Sequence, residues 1–187
     1  SPFGVVFDDS VAYITNQKSN LVQVFDLNNF TLIASIPVSS APRGMSLSKN
    51  KNTLFVTHFS SGEISVIDTA QLSVIKIISL GSRAGLTQAF VIDEGEAVAY
   101  VPNTMRNLDN KNLIFDNTVF PFVSIIDLNK LSHLREERIA LDIIDKPVGL
   151  PLEAALQNSI LYVANAASND LTIIDLKSKK SLAHVEV

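Results

Sequence analysis

The sequence predicts an all-β chain made of four repeats of one unit, each unit four short antiparallel strands, and three observations predict it. A phrase recurs, aromatic first and ending in Asn or His, followed by an apolar strand that stops at Asp. It reads Tyr13-Ile14-Thr15-Asn16 with Val24-Phe25-Asp26, and Phe55-Val56-Thr57-His58 with Val66-Ile67-Asp68. It returns as Tyr100-Val101-Pro102-Asn103 with Ile125-Ile126-Asp127, and as Tyr162-Val163-Ala164-Asn165 with Ile173-Ile174-Asp175. The spacing is also fixed: eleven positions separate the aromatic from the residue two before the Asp in three copies (13 to 24, 55 to 66, 162 to 173). In the third copy the separation is 25 (100 to 125), an insertion of 14 residues. Finally, a turn ending in Gly4, Gly44, Gly85 or Gly149 precedes each copy, and the first two intervals, 40 and 41 (4 to 44, 44 to 85), fall in the period of solenoids and propellers.

Taken in order, the units cover about 2–40, 41–81, 82–145 and 147–187. In each, an apolar first strand follows the Gly, the second carries the phrase, the third ends at the Asp, and the fourth is typified by Thr31 to Val38 or Ser73 to Leu80. These runs are too short for helices, rich in Val and Ile, and bounded by Asn, Asp, Ser and Gly. The recurring Asp reads as structural, its carboxylate accepting a backbone N–H in the turn that follows, as in Asp26-Leu27-Asn28-Asn29 and Asp175-Leu176-Lys177-Ser178. Arg135-Glu136-Glu137-Arg138 is expected in a turn between third and fourth strands. Leu152-Glu153-Ala154-Ala155-Leu156 is helix-prone and is expected to make one helical turn.

Bulk properties narrow the function classes. With 47% hydrophobic and 18% charged residues the chain can bury a core and has no disorder signature. A net charge of −4 argues against nucleic acid, which wants a concentrated basic face; Lys177, Lys179 and Lys180 read as a solvated hairpin tip. No apolar run reaches the roughly 18 residues of a membrane span. With no cysteine, disulfides, thiolate metal sites and covalent c-type haem are excluded within this stretch. The first and last strands begin and stop inside the pattern, as if a leader had been removed and the end cut.

The phrases Tyr13-Ile14-Thr15-Asn16 and Tyr162-Val163-Ala164-Asn165, each with its apolar-apolar-Asp strand, resemble the YVTN-type β-propeller repeat of bacterial and archaeal secreted, surface-layer and periplasmic proteins. The resemblance covers all four units and implies a β-propeller of four-stranded blades. Such rings usually close with about seven blades; four can close geometrically, and otherwise the four here imply part of a ring, completed by further blades, another copy or another polypeptide. It also implies an extracellular, cell-surface or periplasmic location. It leaves function open, because such blades serve as scaffolds, redox-enzyme subunits and lactonase-like enzymes.

Turns of a four-stranded blade alternate between two rims. The loop between second and third strands therefore shares a rim with the connection to the next blade. This puts the insertion, 104–118, on one rim with Arg43, His58, Arg83, Asn103 and Arg106, and puts Arg135 to Arg138 on the opposite one. Long loops in compact domains tend to carry function. Arg106 suits an anion or carboxylate clamp. Asp109, Asn110, Asn112 and Asp116 offer oxygens for a cation, without the spacing of a calcium hand. No phosphate-binding glycine loop, nucleophile elbow or paired-histidine zinc motif occurs. His58, His133 and His184 fall in different contexts and are not expected to converge on a metal.

The leading expectation is thus a non-catalytic exported propeller that binds a protein partner or another domain through this rim, with no cofactor of its own. A second class is a periplasmic redox propeller with haem on a partner domain, since Asn103 to Arg106 and Phe115 to Pro121 are similar to loops of propellers joined to c-type cytochromes. A third is a lactonase-like enzyme with a channel metal, to which the inner strands offer Gln88 and Glu153.

Overall fold

The computed structural model describes residues 1–107 and 118–187. Each short apolar run becomes a strand and pairs with its sequence neighbour, giving four antiparallel sheets. The first holds β1 (Pro2–Phe7), β2 (Val11–Asn16), β3 (Leu21–Asp26) and β4 (Leu32–Pro37). The second holds β5 (Pro42–Leu47), β6 (Thr53–His58), β7 (Glu63–Asp68) and β8 (Ser73–Ser79). In the third, the hairpin β11 (Val98–Arg106) and β12 (Val119–Asp127) is flanked by an inner strand split into β9 (Ala84–Gly85) and β10 (Val91–Asp93). Its outer strand is split into β13 (Ser132–His133) and β14 (Ile139–Ala140). The fourth holds β15 (Pro151–Gln157), β16 (Ile160–Asn165), β17 (Asp170–Asp175) and β18 (Lys180–Glu186). These are four blades of a β-propeller, inner strands toward a common axis.

The apolar core lies between successive blades. Tyr13, Val22 and Val24 meet Leu54, Val56 and Ile67 of blade 2. Phe55 and Val66 meet Ala99, Val101 and Ile126, and the Phe55 ring stacks on Phe90 with centroids 4.7 Å apart. Tyr100 and Ile125 meet Leu161, Val163 and Ile174. The aromatic of the phrase thus packs on the following blade.

The other letters of the phrase have separate jobs. Thr15 and Thr57 cross the blade boundary: each hydroxyl accepts from the inner-strand glycine of its own blade (Gly4 N 2.8 Å, Gly44 N 3.0 Å). Each then donates to the next inner strand (Arg43 O 2.7 Å, Gln88 O 2.8 Å). A Cβ on Gly44 would come within 1.8 Å of Gln88 O, so only glycine permits this backbone contact. The closing Asn or His bonds the third strand, as Asn16 Nδ2 does to Gln23 Oε1 at 2.8 Å. The strand-ending Asp caps its turn as expected: Oδ1 of Asp26, Asp68, Asp127 and Asp175 accepts the N–H of Asn28, Ala70, Asn129 and Lys177.

Two expectations fail. Residues 152–156 are strand, inside β15, and the nearest α-helical turn lies earlier, at Leu141–Ile144. Ala154 and Leu156 pair with Val163 and Leu161 and pack against blade 3, a pairing that overrides helix propensity. Gly4, Gly44 and Gly85 also sit within inner strands rather than ahead of them.

Candidate functional site

One blade is elaborated, and at one rim. β11 and β12 run nine residues each where β6 and β7 run six, so the hairpin projects roughly 10 Å further, at about 3.4 Å per residue. β9 braces it, pairing Ala84 with Met105 and Gly85 with Thr104. Beside it opens a cleft of about 280 Å³ whose polar wall is Arg83, Arg106, Asn107 and Arg138 and whose apolar wall is Met105, Phe120 and Phe122.

The three guanidinium groups reach the cleft by different routes. Arg106 ends β11 and lies against Gly85, where a Cβ would stand 3.2 Å from Nη2; its Nε is buried with no hydrogen-bond partner among the described residues. Arg83 Nη1 donates to Asn107 Oδ1 at 3.4 Å. Arg138 sits 4.7 Å over the Phe122 ring and donates through Nη1 to Met105 Sδ at 3.6 Å. Close by, burial first and then the Arg138 and Arg135 charges lower the pKa of His133.

The remaining expected site residues do not join this cleft. Arg43 projects from β5 toward the neighbouring inner strands, clasped between the Phe59 and Phe3 rings (3.4 and 4.7 Å) and donating to Gln88 Oε1 at 2.9 Å. Gln88 in turn donates to Glu153, a link across blades 2, 3 and 4 beside an axial cleft of about 320 Å³. Among the described residues lining that cleft, Glu153 is the one acid, where a channel metal calls for several. His58 is wholly buried, not presented at the rim: Nε2 meets Ser65 Oγ at 2.9 Å, and burial pushes its pKa down to about 4. Asn103 is buried too, accepting from Ser124 Oγ at 2.8 Å. Both side chains turn onto the adjoining strand, and Asn103 lies inside β11 rather than at its end. Asp109, Asp116 and the cation expected with them lie outside the described residues; among the described ones no group of three His, Cys, Asp or Glu is placed to hold a metal.

Two features escape a reading of the sequence. Arg138 was expected on the opposite rim, but β14 pairs Ile139 with Val123 and Ala140 with Phe122, carrying the chain back to the insertion. A polar corner also forms in blade 4, where His184 Nδ1 lies 3.1 Å from Asp145 Oδ2 and Nε2 lies 3.9 Å from Asp170 Oδ2. Asp170 there accepts from Asn165 Nδ2 at 2.7 Å. The repeat register sets His184 opposite Thr172, but Asp145 comes from the non-repeating connector and gave no signal.

The fold and this rim define a class of protein, the β-propellers with four-stranded blades. No protein-family model matches the chain, and no curated protein matches it. Among solved structures, it is similar to the periplasmic gluconolactonase of Pseudomonas aeruginosa (TM-score 0.71, 19% identity, covering 100% of this chain and 54% of that one). It is similar also to a dihydro-heme d1 dehydrogenase in complex with its ligand (TM-score 0.69, 15% identity, 97% of this chain and 36% of that one). A third is the hydrazine synthase of Kuenenia stuttgartiensis (TM-score 0.59, 15% identity, 95% and 72%). The chain thus spans about half of the gluconolactonase and about a third of the dehydrogenase. At these identities the likeness is one of fold. No helix among the described residues is long and apolar enough to cross a membrane.

Proposed function

We propose that the chain is a binding module of a YVTN-type propeller, exported from the cell, that engages a protein partner or another domain through the rim bearing the lengthened β11–β12 hairpin. One observation carries the reading: all four blades spend the Asn or His that closes the phrase on internal bonds, and blade 3 beyond it carries a lengthened hairpin with a cationic cleft at its foot. The test places a photo-crosslinking residue at Asn107, on this rim, or at Lys51, in the turn between β5 and β6 on the other, in the native host. Adducts from position 107 alone support the reading; equal yields from both, or none from 107, remove it.

A second reading is favoured by the haem-related neighbour and by the wording of residues 103–121: the blades belong to a redox protein whose haem is held by another domain. Visible absorbance of the protein isolated from its host separates the two, a haem Soret band supporting the redox reading and a colourless protein removing it.

A further inference from the structure

We propose that the cleft between Arg106 and Arg138 binds a small organic oxyanion, a carboxylate or phosphate ester carried on an apolar body. The inference builds on the reading of this rim as the working edge, and names the chemistry it recognises. The first argument is charge without a counterpart. The chain has 19 acidic against 15 basic residues, yet Arg106 and Arg138 converge on one cleft. Among the described residues, the ion pairs engage Asp9, Asp127, Glu137 and Glu186 with lysines, Asp145 and Asp170 face His184, and no carboxylate pairs with either arginine. Glu137, next to Arg138 in sequence, is held by Lys179 at 3.3 Å.

The second argument is a partly desolvated guanidinium. Arg106 Nε is buried with no hydrogen-bond partner among the described residues, and a guanidinium shielded from water gains more from an oxyanion bound to the same group than an exposed one does. Third, Arg138 is pre-oriented: the Phe122 ring and Met105 Sδ hold its planar fork in place, so little freedom is lost when an anion docks. Lastly, Phe120, Phe122 and Met105 give the ligand's body an apolar wall, and a volume of about 280 Å³ sits at the small end of ligand pockets. A cleft of this size suits a small molecule better than a run of acidic peptide.

Isothermal titration at low salt with benzoate, phenyl phosphate, neutral benzamide and hexaglutamate tests the site. The expected result is binding of benzoate or phenyl phosphate, with benzamide weaker by about tenfold or more, the scale of a charge-assisted pair. Arg106→Gln and Arg138→Gln should each weaken the anion by about tenfold, while Arg135→Gln, exposed and outside the cleft, leaves it unchanged. Thermal melts report folding, and Arg106→Lys, which keeps charge and loses the fork, substitutes where the Gln variant melts early. Benzamide binding as well as benzoate, no binding of either anion, or equal loss in Arg135→Gln overturns the proposal. Tighter binding of hexaglutamate than of benzoate overturns it too, in favour of an acidic peptide. Anion binding without crosslinking from position 107 removes the partner and leaves this site; the converse removes this site and leaves the partner.

Discussion

The face that blade 2 turns toward blade 1 and the face that blade 1 turns away from blade 2 occupy the same register positions. Leu47, Leu54, Val56, Ile67 and Val74 correspond to Phe7, Ala12, Ile14, Phe25 and Leu32. Leu54, Val56 and Ile67 are 0% exposed against blade 1 while their counterparts Ala12, Ile14 and Phe25 are 8% exposed, half-buried and half-buried; Leu47 and Val74 are half-buried while their counterparts Phe7 and Leu32 are 69% and 50% exposed. The same holds at the other end, where Tyr13, Phe55 and Tyr100 are buried by the following blade and Tyr162 is half-buried. The difference teaches that the repeat encodes blade-to-blade packing whether or not a neighbour is in view. Apolar faces this continuous ordinarily mark an interface, and in repeat architectures such faces are the ones that neighbouring repeats cover.

The covered face should carry the largest energetic effect. Ile67→Ala removes a side chain wedged between blades 1 and 2 and should cost about 2–5 kcal/mol, read as the shift in a urea unfolding midpoint. Next comes His58, buried in the same blade with its pKa near 4 against an ordinary 6.5. Between those values the unfolded chain binds a proton that the folded one refuses, so stability is full above about pH 6.5 and falls as pH drops toward 4. The loss amounts to about 3 kcal/mol, at 1.36 kcal/mol per unit. His58→Asn, which installs the residue found at Asn16, Asn103 and Asn165, should flatten that slope; an unchanged slope in urea titrations at pH 4.5 and 7 would mean that other groups set it.

These residues also show what could be read from the chain and what could not. Tyr13 and Asp175 could be placed because an aromatic and an aspartate recur at those positions in all four units, and a position repeated four times must satisfy one geometry each time. His58 does end β6, whereas Asn103 lies inside β11, which runs on to Arg106; whether either side chain faces solvent or folds onto the next strand depends on its partner, here Ser65 and Ser124. The Arg106 wall of the cleft was legible from the insertion, whereas Arg138 was not. Its position follows from the break between β13 and β14, which no periodicity announces. The helix-prone 152–156 failed for the converse reason, local propensity yielding to an edge-on pairing with β16.

A smaller effect is expected at the blade boundary itself. Thr57→Val keeps the shape but strands Gly44 N and the Gln88 carbonyl, and should cost about 1–3 kcal/mol. Ala164→Thr, at the equivalent position in blade 4, should be near neutral in this chain, where none of the described inner strands lies beside it to accept the hydroxyl.

The smallest effect tests the comparison most sharply. Phe7→Ser lies on the bare face, so in this chain it should move stability by no more than about 0.5 kcal/mol, the ordinary range of a surface change. Where further blades of a longer chain cover that face, the same substitution removes a buried aromatic and the cost rises to about 3–5 kcal/mol. Measuring Phe7→Ser in both contexts by urea unfolding, beside Ile67→Ala as the internal standard, therefore reports directly whether the bare face is an interface. Equal, small costs in the two contexts would show that the repeat pattern persists on a surface that nothing covers.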